Sequence, residues 1–181
     1  MKIYWVTKLR GFFKHMSLHM PGVEFVEKNG HYETQTIMTR FKSRAIRHSL
    51  LNHWGIFQVL RAHGQECDAY GSFNRFLNTD KPYFIYLENP TALYHYTLGR
   101  IRYKNGRKRF EECLNDPNLR YIVCMSEACR NSFDKINMAV PKHVKMTTIY
   151  PFVPENSNVD ELIIRKKSFG ESLECLYCVQ G

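Results

Sequence analysis

The chain has no long apolar run and no pattern of a secretory leader. No stretch of its 181 residues approaches the roughly 20 apolar residues that a membrane-spanning helix needs. The first residues, MKIYWVTKLRGFFKHM, lack the apolar middle and the small-residue cleavage site of a signal peptide. From these absences we expect a cytoplasmic protein whose cysteines are reduced.

Patterns of metal ligands are also sparse. The six cysteines include one C-x-x-C pair, Cys175 and Cys178, in the segment LECLYCVQG. That segment is typical of a strand, in which residues three apart point to opposite faces. No second C-x-x-C and no closely spaced pair of histidines completes a zinc site. We therefore expect no metal and no cofactor, and we expect four of the cysteines to pack as small apolar groups.

Acidic residues are fewer than basic ones, at 17 against 26, so the formal net charge is +9. A basic surface favours anionic partners, such as nucleotide-sugar phosphates, anionic lipid or nucleic acid. Nucleic acid is the least favoured, because no defined binding motif and no interleaved exposed aromatics accompany the charge. Four basic residues would share one helical face, as a patch for phosphate or a membrane surface or simply as a solvated face: Arg100, Lys104, Arg107 and Lys108.

Apolar strand-like runs alternate with helical patterns along the chain. This alternation predicts an α/β fold with a Rossmann-like parallel sheet and helices on both faces. We expect helices over residues 43–63, ending at Gly64, over residues 91–115, broken at Asn105–Gly106, and after Ser126. Strands are predicted at residues 2–6, 22–27, 67–73, 83–87, 121–125, 145–150 and 173–179, with a polar linker at residues 155–172.

Ligands of such sheets bind at the carboxyl ends of the strands. This rule indicates the loops that begin near five residues: Thr7, Phe73, Glu88, Ser126 and Pro151.

Three segments in order, KPYFIYLENP (residues 81–90), LRYIVCMSEACRNSF (residues 119–133) and VKMTTIYPFVPEN (residues 144–156), carry a resemblance. They resemble the N-terminal domain of nucleotide-sugar glycosyltransferases of the GT-B fold, the large and mostly retaining group. CLYCVQG at residues 175–181 then resembles the first strand and glycine loop of the donor-binding domain. The resemblance implies an acceptor-side domain over residues 1–154, a linker over residues 155–172 and the start of a truncated second domain over residues 173–181.

The resemblance also implies an activity. The chain would be part of a hexosyltransferase-like enzyme that moves a sugar from a nucleotide-sugar donor to a glycan or a lipid-linked acceptor, at the cytoplasmic side and in peripheral contact with a membrane. The family's donor contacts, including a paired-glutamate motif, lie in the second domain, so we expect the chain to be inactive alone. The usual glycine-rich loop after the first strand is missing, because residues 7–13 contain the single Gly11. The alternative is a non-catalytic basic α/β module that binds nucleic acid or another polyanion.

Five polar residues are the candidates for the site. Glu88 stands where many family members have a histidine, and it could act as a base or bind a sugar hydroxyl, or be a solvated loop carboxylate. Asn89 could bind substrate or only begin a turn. Ser126 and Glu127 could contact a phosphate or hydroxyl at a helix N-terminus, or only cap that helix. His95 could contact substrate or be packed among its aromatic neighbours.

Overall fold

The structure is a computed structural model that describes residues 1–9, 11–27, 48, 50–97 and 99–151. Residues 43–47 and 49 of the first predicted helix, the linker at residues 155–172 and the last strand at residues 173–179 lie outside the described residues.

Helices and strands alternate along the described part of the chain, as predicted. The helices are α1 (Gly11–Leu18), α2 (Leu50–Trp54), a 3₁₀ helix (Pro90–Tyr94), α3 (Lys104–Leu114) and α4 (Glu127–Lys135). The strands are β1 (Lys2–Trp5), β2 (Glu24–Glu27), β3 (Val59–Ala62), β4 (Ala69–Phe73), β5 (Phe76–Thr79), β6 (Tyr83–Leu87), β7 (Leu119–Cys124) and β8 (Lys145–Thr148).

Six of the strands form one parallel sheet in the order β2-β1-β4-β6-β7-β8. Each crossover between parallel neighbours needs an intervening segment, and the helices lie in these crossovers. The α/β fold with a Rossmann-like parallel sheet is therefore confirmed. The order reverses between β1 and β4, since β2 lies on one side of β1 and the later strands follow on the other.

Apolar side chains cover both faces of the sheet. Along β6, Tyr83, Ile85 and Leu87 pack into one cluster, which includes residues of α3 and α4. Phe84 and Tyr86 alternate with them and pack into a second cluster on the opposite face. This alternation is what a strand buried on both sides requires.

The second cluster is the contact between the sheet and α1. Phe13 of α1 stacks on Trp5 of β1, with ring centroids 4.2 Å apart, and lies 4.7 Å from the ring of Tyr86. Because α1 covers one face and α3 and α4 cover the other, the prediction of helices on both faces is confirmed.

The predicted helix over residues 43–63 is wrong in its second half. Helix α2 ends at Trp54, because Gly55 follows it in the left-handed region at φ +64°. Residues Val59–Ala62 form strand β3, which pairs in parallel with β5 in a small second sheet. The apolar spacing was misleading because Phe57 is buried against the rings of Phe76 and Phe110 without being helical. Strand β5 was not predicted.

The predicted break at Asn105–Gly106 is also wrong, because α3 runs through both residues. The chain turns earlier, at His95 and Tyr96, whose φ angles are +62° and +58°. Gly106 is inside the helix for a packing reason: a Cβ atom there would overlap the carbonyl oxygen of Arg100.

We predict that Gly106→Ala destabilises the protein by about 2 kcal/mol, because the added methyl group meets backbone that cannot move independently. In an open helix the same change would stabilise by about 1 kcal/mol. Urea unfolding measures the difference, and Lys104→Ala at an exposed position of α3 is the control, expected to be nearly neutral. A Gly106→Ala variant more stable than the parent would contradict the close approach.

Candidate functional site

The carboxyl edge of the main sheet brings the loops after β1, β4, β6 and β7 together. At the point where the strand order reverses, the backbone N–H of Phe73 donates a 2.8 Å hydrogen bond to Oγ1 of Thr7. In open parallel sheets the crevice beside such a reversal is where ligands bind. Thr7, Phe73 and Glu88 therefore lie at the edge where the sequence predicted a site.

Glu88 follows β6 directly and is held by two side chains. Its backbone N–H donates to Oδ1 of Asn74 at 2.9 Å, and Nδ2 of Asn74 donates to its Oε2 at 3.2 Å. The hydroxyl of Tyr96 donates to the same Oε2 at 3.1 Å. Within the described part of the chain, Oε1 accepts no hydrogen bond, and Glu88 is exposed. The Glu88 cluster, which is Asn74, Glu88 and Tyr96, thus presents one carboxylate oxygen to solvent.

Backbone strain is concentrated around this cluster. Among the described residues, four non-glycine residues have positive φ, and three of them are Asn74 (+56°), His95 (+62°) and Tyr96 (+58°). Strained conformations of this kind occur preferentially at functional sites, where the surroundings hold them in place. Here Arg75 helps, because its Nη1 donates to the carbonyl oxygens of Asn74 at 2.6 Å and Ala92 at 2.9 Å.

Two predicted site residues have structural roles. Asn89 is the N-cap of the 3₁₀ helix, and its Oδ1 accepts a 2.9 Å hydrogen bond from the N–H of Thr91. His95 is buried, and its Nε2 accepts a 3.1 Å hydrogen bond from the N–H of Gln58. For both residues the structure shows the structural alternative that the sequence left open.

Ser126 and Glu127 lie at the carboxyl end of β7, the neighbour of β6. Oγ of Ser126 accepts a 3.1 Å hydrogen bond from the N–H of Cys129, which confirms the predicted cap of α4. Glu127 is exposed in the first turn, where its charge complements the positive end of the helix dipole. Ser126 is thereby engaged in capping, and Glu127 remains open to a ligand.

The four cysteines that the structure describes are packed, as predicted. Cys67, Cys113, Cys124 and Cys129 are free thiols, and all but the half-buried Cys113 are buried. A hydrogen bond between Cys124 and Cys129 raises the pKa of the Cys124 thiol and lowers that of Cys129. Sγ of Cys129 also donates to the carbonyl oxygen of Leu87 at 3.3 Å, which ties α4 to the end of β6.

Of the four residues predicted to form a basic face, Arg100 is not on the surface, and two others form ion pairs with glutamates. Arg100 precedes α3 and is fully buried, and the loss of solvation lowers the pKa of its guanidinium. Nε of Arg107 lies 3.2 Å from Oε1 of Glu111, and Nζ of Lys108 lies 3.9 Å from Oε1 of Glu112. Lys104 alone of the four is exposed without an ion pair to any described residue.

Two residues of the Glu88 cluster, Asn74 and Tyr96, were not among the predicted site residues. Asn74 was not a candidate, although an asparagine directly after a strand tolerates the left-handed region and bonds to nearby backbone. From the sequence, Tyr94 and Tyr96 could each stack on a sugar or pack in the core, and core packing was the prediction for both. Tyr94 is buried, but the Tyr96 side chain is 53% exposed.

In the described part of the chain, no group of three or more His, Cys, Asp or Glu side chains is arranged to hold a metal ion. No helix that the structure describes is long and apolar enough to cross a membrane. Comparisons of the chain with protein-family models, with curated proteins and with solved structures give no significant match. The resemblance to GT-B glycosyltransferases therefore stays a prediction from the sequence.

We predict that Asn74→Ala is less stable than Asn74→Gly by about 1 kcal/mol. Both variants lose the same two hydrogen bonds to Glu88, but only glycine adopts a φ of +56° without strain. Thermal or urea unfolding of the pair isolates the backbone contribution. An alanine variant at least as stable as the glycine variant would show that the strain at Asn74 is negligible.

Proposed function

We propose that this chain supplies the acceptor-binding half of a glycosyltransferase that acts on a glycan or lipid-linked acceptor. The proposal is supported most directly by the Glu88 cluster, which holds a carboxylate at the carboxyl end of a central strand. The cluster lies beside the reversal of strand order, where sheets of this type bind their ligands.

The chemistry of the cluster suits a sugar hydroxyl. With Oε2 held by Asn74 and Tyr96, Oε1 of Glu88 is free to accept a hydrogen bond from the acceptor and to take its proton as the new bond forms. The hydroxyl of Tyr96 bonds to Oε2 of the same carboxylate, and its exposed ring offers a flat surface to a sugar ring. A fixed carboxylate next to a ring is an arrangement that both orients and polarises an attacking hydroxyl.

The donor half of the reaction needs other groups. The charge that develops on a leaving diphosphate must be stabilised, and this is usually the largest contribution to catalysis. In the family that the sequence resembles, the second domain provides these contacts. We therefore assign the nucleotide-sugar donor to a second unit and the acceptor to the edge that carries Glu88.

Glu88→Gln tests the acceptor assignment. Glutamine keeps the shape of the side chain but loses its charge, so we expect the affinity for an acceptor sugar to fall about tenfold. NMR titration of the purified protein with a panel of neutral and acidic oligosaccharides measures the loss. Glu66→Gln, at an exposed position before β4 on the opposite edge of the sheet, is the matched control and should leave affinity unchanged. Absence of binding in the parent protein, or equal binding by both variants, would reject the proposal.

We further expect the 181-residue chain alone not to transfer sugar. Incubation with a panel of nucleotide sugars and the acceptors found by titration, followed by mass spectrometry of the acceptors, checks this. Transfer that disappears in Glu88→Ala would mean that the donor binds to this chain and that its assignment to a second unit is wrong.

A further inference from the structure

A second surface lies where α2 ends and α3 begins. Gly55 packs directly against Gly106, and Nδ2 of Asn105 donates a 3.3 Å hydrogen bond to the carbonyl oxygen of His53. The rings of His53 and Tyr103 are in contact, with centroids 4.1 Å apart. These contacts join residues 53–56 and 102–105 into one surface, which we call the α2–α3 corner.

The corner exposes large apolar side chains. Trp54 is 68% exposed, while Trp5, the other tryptophan of the chain, is completely buried. Tyr103 is 41% exposed and Ile56 is 39% exposed. Amphipathic rings such as those of tryptophan and tyrosine are enriched where proteins meet the interface between water and lipid.

The sequence on either side of the corner residues carries charge of one sign. Arg102 and Lys104 are exposed on either side of Tyr103, and neither forms an ion pair within the described residues. No Asp or Glu occurs in residues 34–65 or in residues 89–110, the two stretches of sequence that contain the corner. An anionic surface is therefore the complementary partner.

We propose that the α2–α3 corner docks the protein on an anionic lipid surface. Trp54 and Ile56 enter the interface, and Arg102 and Lys104 contact the lipid phosphates. A single-stranded nucleic acid would satisfy the cations and could stack on Trp54, but Ile56 has no aromatic face for a base and would remain exposed. The proposal requires neither sugar transfer nor Glu88, so it stands or fails independently of the proposed function.

Trp54 is a built-in reporter for this test. Because Trp5 is buried, iodide quenches mainly Trp54 in the free protein. Vesicles of mixed phosphatidylglycerol and phosphatidylcholine should shift the emission to the blue and protect it from iodide. Pure phosphatidylcholine vesicles, or mixed vesicles at high salt, should have little effect, since screening removes the attraction. No shift with the mixed vesicles would overturn the proposal.

Variants separate insertion from simple attraction. In vesicle co-sedimentation, Arg102→Glu/Lys104→Glu should lower partitioning about tenfold or more, and Trp54→Ala should lower it to a similar degree. Arg120→Glu/Lys142→Glu is the matched control, because it makes the same change of charge at exposed positions on the opposite edge of the sheet. Unchanged thermal unfolding of each variant confirms that it is folded.

Two results would overturn the proposal. If Trp54→Ala binds mixed vesicles as the parent does, the attraction is only that of a polycation for a polyanion. If a single-stranded oligonucleotide binds at moderate salt, protects Trp54 and is lost in Arg102→Glu/Lys104→Glu while vesicles do not bind, the corner is a nucleic-acid site.

Discussion

Strand β6 is the element on which the packing of both faces of the main sheet depends. Its alternating side chains enter both apolar clusters, and it pairs with β4 on one side and β7 on the other. Apolar burial is the main favourable contribution to folding, and among the strands that the structure describes β6 contributes the most buried apolar side chains. Glu88 is the residue that directly follows this strand. Its backbone is therefore fixed by the best-packed part of the sheet, while its side chain is exposed to solvent.

The cluster around Glu88 joins loops that the sheet alone would leave separate. Asn74 follows β4 and Glu88 follows β6. Their two hydrogen bonds connect the carboxyl ends of these neighbouring strands. Asn74 makes these bonds in the left-handed region, at φ +56°. The strain is offset by bonds from Arg75 and by the N–H of Asn74, which donates to the carbonyl oxygen of Tyr86 at 3.1 Å. Rigidity at this point would let a single carboxylate oxygen keep a fixed direction.

The sequence predicted the main sheet well, because its central strands are compact apolar runs that follow local signals. Residues 83–87 and Ser126 illustrate this, since a buried run and a capping serine need no knowledge of distant residues. The second half of the helix predicted over residues 43–63 was wrong, because an apolar pattern at spacings of three and four also fits a strand and a turn around Phe57. The prediction that Arg100 lies on a basic face was wrong for a related reason. Charge predicts exposure on average, and only the packing of Gly106 against the carbonyl of Arg100 reveals that this segment is buried. Asn74 and Tyr96 depend on contacts across 14 and 8 residues, which no local pattern contains.

The two long helices after β6 differ at their ends in a way that bears on the α2–α3 corner. Helix α4 follows the electrostatic preference of a helix, with a serine cap, Glu127 in its first turn and Lys135 in its last. Helix α3 does not: Tyr103 makes no side-chain cap, no acid lies in the first turn, and Lys104 places a cation at the positive end of the dipole. Arg107 and Lys108 pair with Glu111 and Glu112, and the guanidinium carbon of Arg109 lies 5.7 Å from the ring centroid of Phe57. A helix start that lacks both a cap and a counter-charge is stabilised when an anion approaches it, and an anionic surface beside Tyr103 would supply that charge.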